Sequence, residues 1–193
     1  EVVSLDGSVR EACLWSEGLS GGVGRRATVV RTVGAGEPGP WGPPRLESDG
    51  VAVHVEEVTD ADDDDVDAHP EPEAFIVDPD GAVVRAGLVR HWARRHGLRQ
   101  LDQRIAHLTG PEIPAGYSGF EVLDRCRLDK KELRRVLRAR DCGSLEILVR
   151  GVDMDPDVLR KSLALKGSRP LALVVTRIDR SAVVFVCGPR RRG

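Results

Sequence analysis

The chain is poor in aromatic side chains, which make up 4% of its 193 residues. Its core must be mainly aliphatic, and few rings are available to stack on nucleobases. Long apolar runs are also missing. No stretch approaches the roughly 18 residues of a membrane-spanning helix, which excludes such a helix from these residues. The opening residues are charged and strand-like rather than a signal peptide, and Glu1 in place of methionine reads as a cut from a longer protein. Cys13, Cys126, Cys142 and Cys187 form no C-x-x-C pair and fit no zinc spacing, so they read as reduced thiols of a cytoplasmic protein. The five histidines show no H-E-x-x-H pattern, and His91 and His96 are badly spaced for two ligands on one helix face. Neither a Ser-His-Asp signature nor G-x-S-x-G nor a nucleotide glycine fingerprint after a strand is present. The expectation is a chain with no metal and no catalytic residue of its own.

What is there is charge, unevenly placed. Residues 1–124 hold 11 Lys/Arg against 23 Asp/Glu, a balance of −12, and residues 125–193 hold 18 against 8, a balance of +10. A basic block of this kind points to a polyanionic partner. The acidic run over residues 59–73 has the EF-hand spacing at Asp60, Asp62, Asp64 and Glu71. It carries Asp65 where that loop needs glycine, and Pro70 and Pro72 block an exiting helix. It reads as a solvated, disordered linker.

Residues 1–15 read as extended with Asp6-Gly7 as a hairpin turn, and 26–33 as a second strand. The glycine-rich loop between them is followed by a strand, not a helix, so it lacks the helix N-terminus that a phosphate cradle needs. Residues 34–50 carry too much Gly and Pro for regular structure. A strand at 74–77, a helix over 79–96 stopped by Gly97, and a strand at 104–108 follow. The last block alternates more clearly: strand 120–128, helix 129–140, strand 145–149, helix 156–165, then strands 171–178 and 182–187 around a tight turn. That order, β-α-β-α-β-β, predicts helices on one face of a mostly antiparallel sheet, an α+β fold.

Two Asp-Pro-Asp stretches, 78–80 and 155–157, invite a chemical reading. Neither has a histidine or a further carboxylate close in sequence to share proton or metal work. Asp155 before Pro156 reads as an N-cap with proline at the first helical position, and Met154 and Leu159 as a hydrophobic staple. Asp78-Pro79-Asp80 reads as a helix start of the same kind, with a hairpin turn as the alternative that Gly81 leaves open. Asp129 and Glu132 form a capping-box pattern, with Leu128 and Leu133 as its staple. The helix begun by Asp129 has Leu133, Val136 and Leu137 as its apolar stripe. Lys130, Lys131, Arg134, Arg135 and Arg138 fill its other faces. With Arg150, Lys161 and Lys166 they are the candidate nucleic-acid-contacting residues, suited to salt-sensitive phosphate binding rather than base reading.

"EVVSLDGSVREACLW" with "RRATVV" resembles the last strands of class I S-adenosylmethionine-dependent methyltransferase domains of bacterial, especially actinobacterial, proteins. "FIVDPDGAVVRAGLV" with "LDQRIAHLT" resembles the small ferredoxin-like domain that follows in that group. "LEILVRGVDMDPDVLRKSLALKG" with "LALVVTRI" is similar to its THUMP-like domain. The sequence departs from the family pattern at Leu148 and Val149, where lysines precede the Arg-Gly, and at "AFIV", where the strand is tyrosine-rich. The resemblance implies methyltransferase strands at 1–47, an acidic linker at 48–73, a ferredoxin-like domain at 74–118 and a THUMP-like domain at 119–188. It also implies that the methyl-donor loop and the catalytic residues precede residue 1, so S-adenosylmethionine belongs to the parent protein and no cofactor to this piece. The function expected is to bind or position an RNA substrate, tRNA or rRNA, for an upstream catalytic domain. The alternative is a structural module that packs on that domain or dimerises through unpaired strands at 1–15 and 26–33.

Overall fold

The computed structural model describes residues 1–33, 45–46 and 52–193, and the irregular stretch expected over 34–50 otherwise lies outside them. The described chain is α+β, mostly strands with few helices, in largely antiparallel sheets. It divides into two compact units that interleave along the sequence. The first comprises residues 1–67, 78–99 and 114–117, and the second 68–77, 100–113 and 118–193. This division differs from the sequential one, because short segments from the middle of the chain pair with distant strands.

In the first unit, β1 (Val2–Leu5) and β2 (Ser8–Ala12) form a hairpin. Asp6 and Gly7 at its turn have φ of 50° and 82°, the left-handed pair for which Asp-Gly is suited. With β3 (Arg26–Thr32), β4 (Arg45–Leu46) and β5 (Ala52–Thr59) they make a sheet of order β2-β1-β3-β5-β4. Strands 1–15 and 26–33 are therefore not both unpaired as expected. β1 lies between β2 and β3, β3 lies between β1 and β5, and among the described residues β2 and β4 are the edges.

The single helix expected over 79–96 is two, α1 (Gly81–Arg85) and α2 (Val89–Arg95). Gly87, at φ 71°, ends the first: its N–H donates to the Val84 carbonyl, and the Leu88 N–H to that of Val83. This is a Schellman closure, repeated after α2 at Gly97. Val84 is half-buried before the break and Leu88 and Trp92 are buried after it, so the four-residue apolar spacing runs through it unchanged. The cap of α1 is Asp80 rather than Asp78, and its carboxylate accepts from the Ala82 N–H at 2.9 Å.

The acidic run is not a free linker. Asp62, Asp63 and Asp64 pair with Arg95, Arg94 and Arg90 of α2, and Asp60 with Arg25. Each carboxylate of the EF-hand spacing thus turns to a different cation instead of converging. Composition marked the run as solvated. The matching arginines, about thirty residues on, hold it in place.

The second unit is built on β6 (Phe75–Val77), β7 (Arg99–Asp102), β8 (Ile105–Gly110), β9 (Ser118–Arg127), β10 (Cys142–Arg150), β11 (Arg169–Ile178), β12 (Ser181–Cys187) and β13 (Arg191–Arg192). Their order is β10-β11-β12-β9-β6-β8-β7, with β13 on β9, and β10 and β11 are parallel. The expected β-α-β-α-β-β order is present, with α3 (Lys130–Ala139) and α4 (Pro156–Leu163) between its strands. Asp155 accepts from the N–H groups of Asp157 and Val158 at 2.7 and 3.2 Å, a helix cap as its setting predicts. Asp129 accepts from the Glu132 N–H at 2.8 Å. Its own N–H goes to the Arg127 carbonyl, so the return bond of a capping box is not made.

Both faces of this sheet are buried. Leu171, Leu173 and Val175 of β11 join Leu133, Val136, Leu137, Leu159 and Leu163 of the helices in one core. Ala172 and Val174 face a second core with Ile76, Leu101, Phe120 and Phe185. That explains why β11 reads as a continuous apolar run rather than an alternating one. β7 and β13 were not foreseen from the sequence: each is four residues or fewer and largely polar.

Candidate nucleic-acid interface

The alternation of β10 sorts the predicted basic residues. Ile147 and Val149 pack in the helix-side core, and Leu148 in the core of the other face. Arg150, at even register, follows Leu148. On that same face Glu146 meets Arg190, whose guanidinium lies 4.6 Å over the Phe120 ring. Arg150 is close enough to His107 of β8 to help depress its titration. Arg150 is thus turned away from α3.

The remaining candidates share the helix side. Lys130, Lys131, Arg134, Arg135 and Arg138 on α3, Lys161 on α4 and Lys166 beyond it are all exposed. α3 runs antiparallel to β9 and β10, which are parallel through their shared register with β11 and β12. Lys130 and Lys131 therefore stand at one end of the layer, and Arg138 and Lys166 at the other. Ten helical residues separate the ends by about 15 Å.

These cations are not equivalent. The Arg134 guanidinium donates through Nε at 3.0 Å, and also through Nη2, to the Ser162 carbonyl in the last turn of α4. Arg160 donates to the Leu145 carbonyl at 3.0 Å and pairs with Asp157. Both arginines tie the helices down. Lys130, Lys131, Arg135, Arg138, Lys161 and Lys166 have no ion pair among the described residues. Six arginines of the first unit are the reverse: Arg25, Arg26, Arg31, Arg90, Arg94 and Arg95 each face a carboxylate. An external polyanion would have to displace those carboxylates, but nothing occupies the cations of α3.

Where α3, α4 and β10 meet, a cleft of about 260 Å³ opens. Leu137, Leu163 and Leu165 line it with Cys142, and Arg134, Arg138, Lys166 and Asp141 edge it. No sequence signal marked this site. Its two walls are more than twenty residues apart and meet because the Gly167 N–H donates to the Cys142 carbonyl at 2.9 Å. Gly143 permits the approach, since a Cβ there would run into the Gly167 carbonyl.

The described residues show no comparable catalytic arrangement. The buried cluster of the first unit is self-satisfied. Glu56 accepts from Trp92 Nε1 at 3.3 Å and from the Tyr117 hydroxyl, and meets His96 Nε2 at 2.8 Å. Burial alone would raise its titration; the bonds from His96, Tyr117 and Trp92 outweigh that and hold it below 4.5. Burial and the adjoining Glu56 push the Tyr117 hydroxyl up. Three of the thiols, Cys126, Cys142 and Cys187, are buried and none is in a disulfide; burial pushes Cys187 up to about 12. No group of His, Cys, Asp and Glu among the described residues is arranged to hold a metal ion, and no helix is long and apolar enough to cross a membrane. The loop 16–24 joins β2 to β3 with no helix between them.

Residues 117–189 match the family described as THUMP domain-like. The chain is 48% identical, over 99% of its length, to an uncharacterized S-adenosylmethionine-dependent methyltransferase of Mycobacterium tuberculosis, found in two strains. It spans 48% of that relative, about half the length of the curated proteins it matches. A crystal structure of a Porphyromonas gingivalis protein, named as a methyltransferase, has the same fold over 97% of this chain and 44% of its own, with a TM-score of 0.63 at 17% identity. The chain is therefore similar, over almost its whole length, to part of an actinobacterial S-adenosylmethionine-dependent methyltransferase, and its residues 117–189 match the THUMP domain-like family.

Proposed function

We propose that this chain is the part of a methyltransferase that binds and positions an RNA substrate, while S-adenosylmethionine and the catalytic groups belong to the rest of the parent protein. The observation that carries the reading is the set of exposed, uncompensated cations on α3 and α4, inside the region that matches the THUMP domain-like family. Lys130, Lys131, Arg135, Arg138, Lys161 and Lys166 meet the phosphate backbone, and Arg134 holds the two helices in register beneath them. Contacts of this kind position RNA without reading its sequence.

The test is RNA binding by the 193-residue chain, read by fluorescence anisotropy against salt. With a blunt stem–loop RNA, log K should fall linearly with log salt. Changing Lys131→Glu and Arg135→Glu together should weaken binding to all RNAs alike and reduce the slope by about two. A flat salt dependence, or no binding at low salt, would sink the reading.

One observation favours a second role beside it. Leu14, Trp15 and Leu19 of the first unit are exposed, Leu14 completely. Such residues suit packing against another part of the parent protein or a second copy. Light scattering that finds a strict monomer removes self-association from this reading.

A further inference from the structure

The cleft between the ends of α3 and α4 has a composition that the phosphate-binding face does not explain. Its floor is aliphatic, from Leu137, Leu163 and Leu165, and its edge carries Arg138 and Lys166, two cations with no counter-ion among the described residues. Both helices end here, and each contributes about half a negative charge at its C-terminus. Three cations, Arg134 included, outweigh those two half-charges and Asp141, so the cleft keeps a net positive charge of about one. A purely apolar occupant would leave the cations unused, and a bare phosphate would leave the floor unused. The volume of about 260 Å³ lies below the range of roughly 300–1,000 Å³ for drug-sized pockets, which suits a single ring system.

We propose that this cleft seats one unpaired nucleotide of the RNA, the base against the leucine floor and its phosphate on Arg138 and Lys166. The proposal rests on the RNA-binding reading above and adds to it a preference for unpaired over paired RNA. Asp141 adds a further preference. Its Oδ2 accepts from the Ser168 hydroxyl at 2.5 Å, while Oδ1 takes no bond among the described residues. A free carboxylate oxygen accepts from an exocyclic amino group, which adenine, cytosine and guanine have and uracil lacks. With no aromatic side chain in the lining, the base is held by apolar contact and its edge rather than by stacking.

The experiment compares three RNAs on the full chain at one salt concentration: a blunt stem–loop, the same stem with a short single-stranded adenosine tail, and the same with a uridine tail. The adenosine-tailed RNA should bind about tenfold tighter than the blunt one, with the uridine-tailed RNA between them. Arg138→Gln with Lys166→Gln should abolish the advantage of the tail, so that the variant binds tailed and blunt RNAs alike; because both residues also meet phosphate on the helix face, blunt binding itself should weaken and its salt slope fall by about two. Both side chains are exposed and unpaired, so the thermal midpoint should not move. Asp141→Asn, which tolerates the positive φ of 56° there, should close the gap between the two tails. Blunt binding with no gain from either tail overturns the cleft assignment and leaves the phosphate-binding face intact. An advantage that survives the double variant overturns it equally, as does displacement of the tail by an acidic peptide. Failure of all three RNAs to bind at low salt overturns the face and the cleft together.

Discussion

His107 is buried on β8, and neither ring nitrogen has a partner among the described residues. Burial first, then the nearby Arg150, lower its titration from 6.5 to about 3. Its folded pKa lies below its unfolded one and the neutral form is the native one, so the unfolded chain takes up the proton first. Stability is complete above pH 6.5 and falls between there and about 3. The second unit should lose up to about 2 kcal/mol by pH 5, and His107→Leu should remove that part of the slope. Urea titrations of both proteins at pH 7 and pH 5 check it; equal slopes with pH would refute it. Glu56 acts lower down. Its carboxyl is held below 4.5, so its contribution is complete above that value and lost as pH falls through the folded pKa. Glu56→Leu would leave the Tyr117 hydroxyl and the Trp92 N–H without their acceptor and should cost about 3 kcal/mol, while Glu56→Gln should recover part of it. A loss of less than about 1 kcal/mol in Glu56→Leu would show that the cluster is not what holds α2 on β5.

Among the elements, the connections at the ends of α3 and α4 are the most constrained. Ala164 caps α4 at φ 49° and ψ 56°, a left-handed conformation that costs an L-residue about 1 kcal/mol and glycine almost nothing. Ala164→Gly should raise stability by about 0.5–1 kcal/mol, read as a shift in thermal midpoint. Gly143→Ala should do the reverse and more strongly, because the added methyl meets the Gly167 backbone rather than a movable side chain. An unchanged midpoint in Gly143→Ala would mean that the cleft walls give way easily. How legible the elements were depended on the kind of signal. α4 was readable because Asp155, Pro156 and Met154 are local determinants. The break between α1 and α2 was not, because Val84, Leu88 and Trp92 keep the helical period across it. Asp80 took the capping role from Asp78 because its carboxylate reaches the Ala82 N–H and the Arg31 guanidinium at once.

At the scale of the whole molecule, the matched family region is not all of its own sheet. β9 pairs β12 through Val122–Arg127, and β6 through Gly119–Glu121. Ile76 and Leu101 complete the core on the face away from the helices. A fragment of residues 117–193 lacks both, and its second core is open to water. It should unfold without cooperativity or aggregate, while the full chain melts cooperatively; circular dichroism melts distinguish the two, and a cooperative fragment with the midpoint of the full chain would refute this. The sequence by itself determined the element types of the last block, the caps of α3 and α4, the basic face of α3 and the resemblance, because each rests on neighbours a few residues apart. The tertiary structure alone decided which cations are free. Arg134 and Arg160 spend their hydrogen bonds on backbone carbonyls, Arg150 turns to the opposite face of β10, and the aspartates of the acidic run meet arginines far along the chain. It alone also brought residues 134–142 and 163–167 together into a cleft. Charge is written in the sequence, but whether a charge has a partner depends on distance, which only the fold sets.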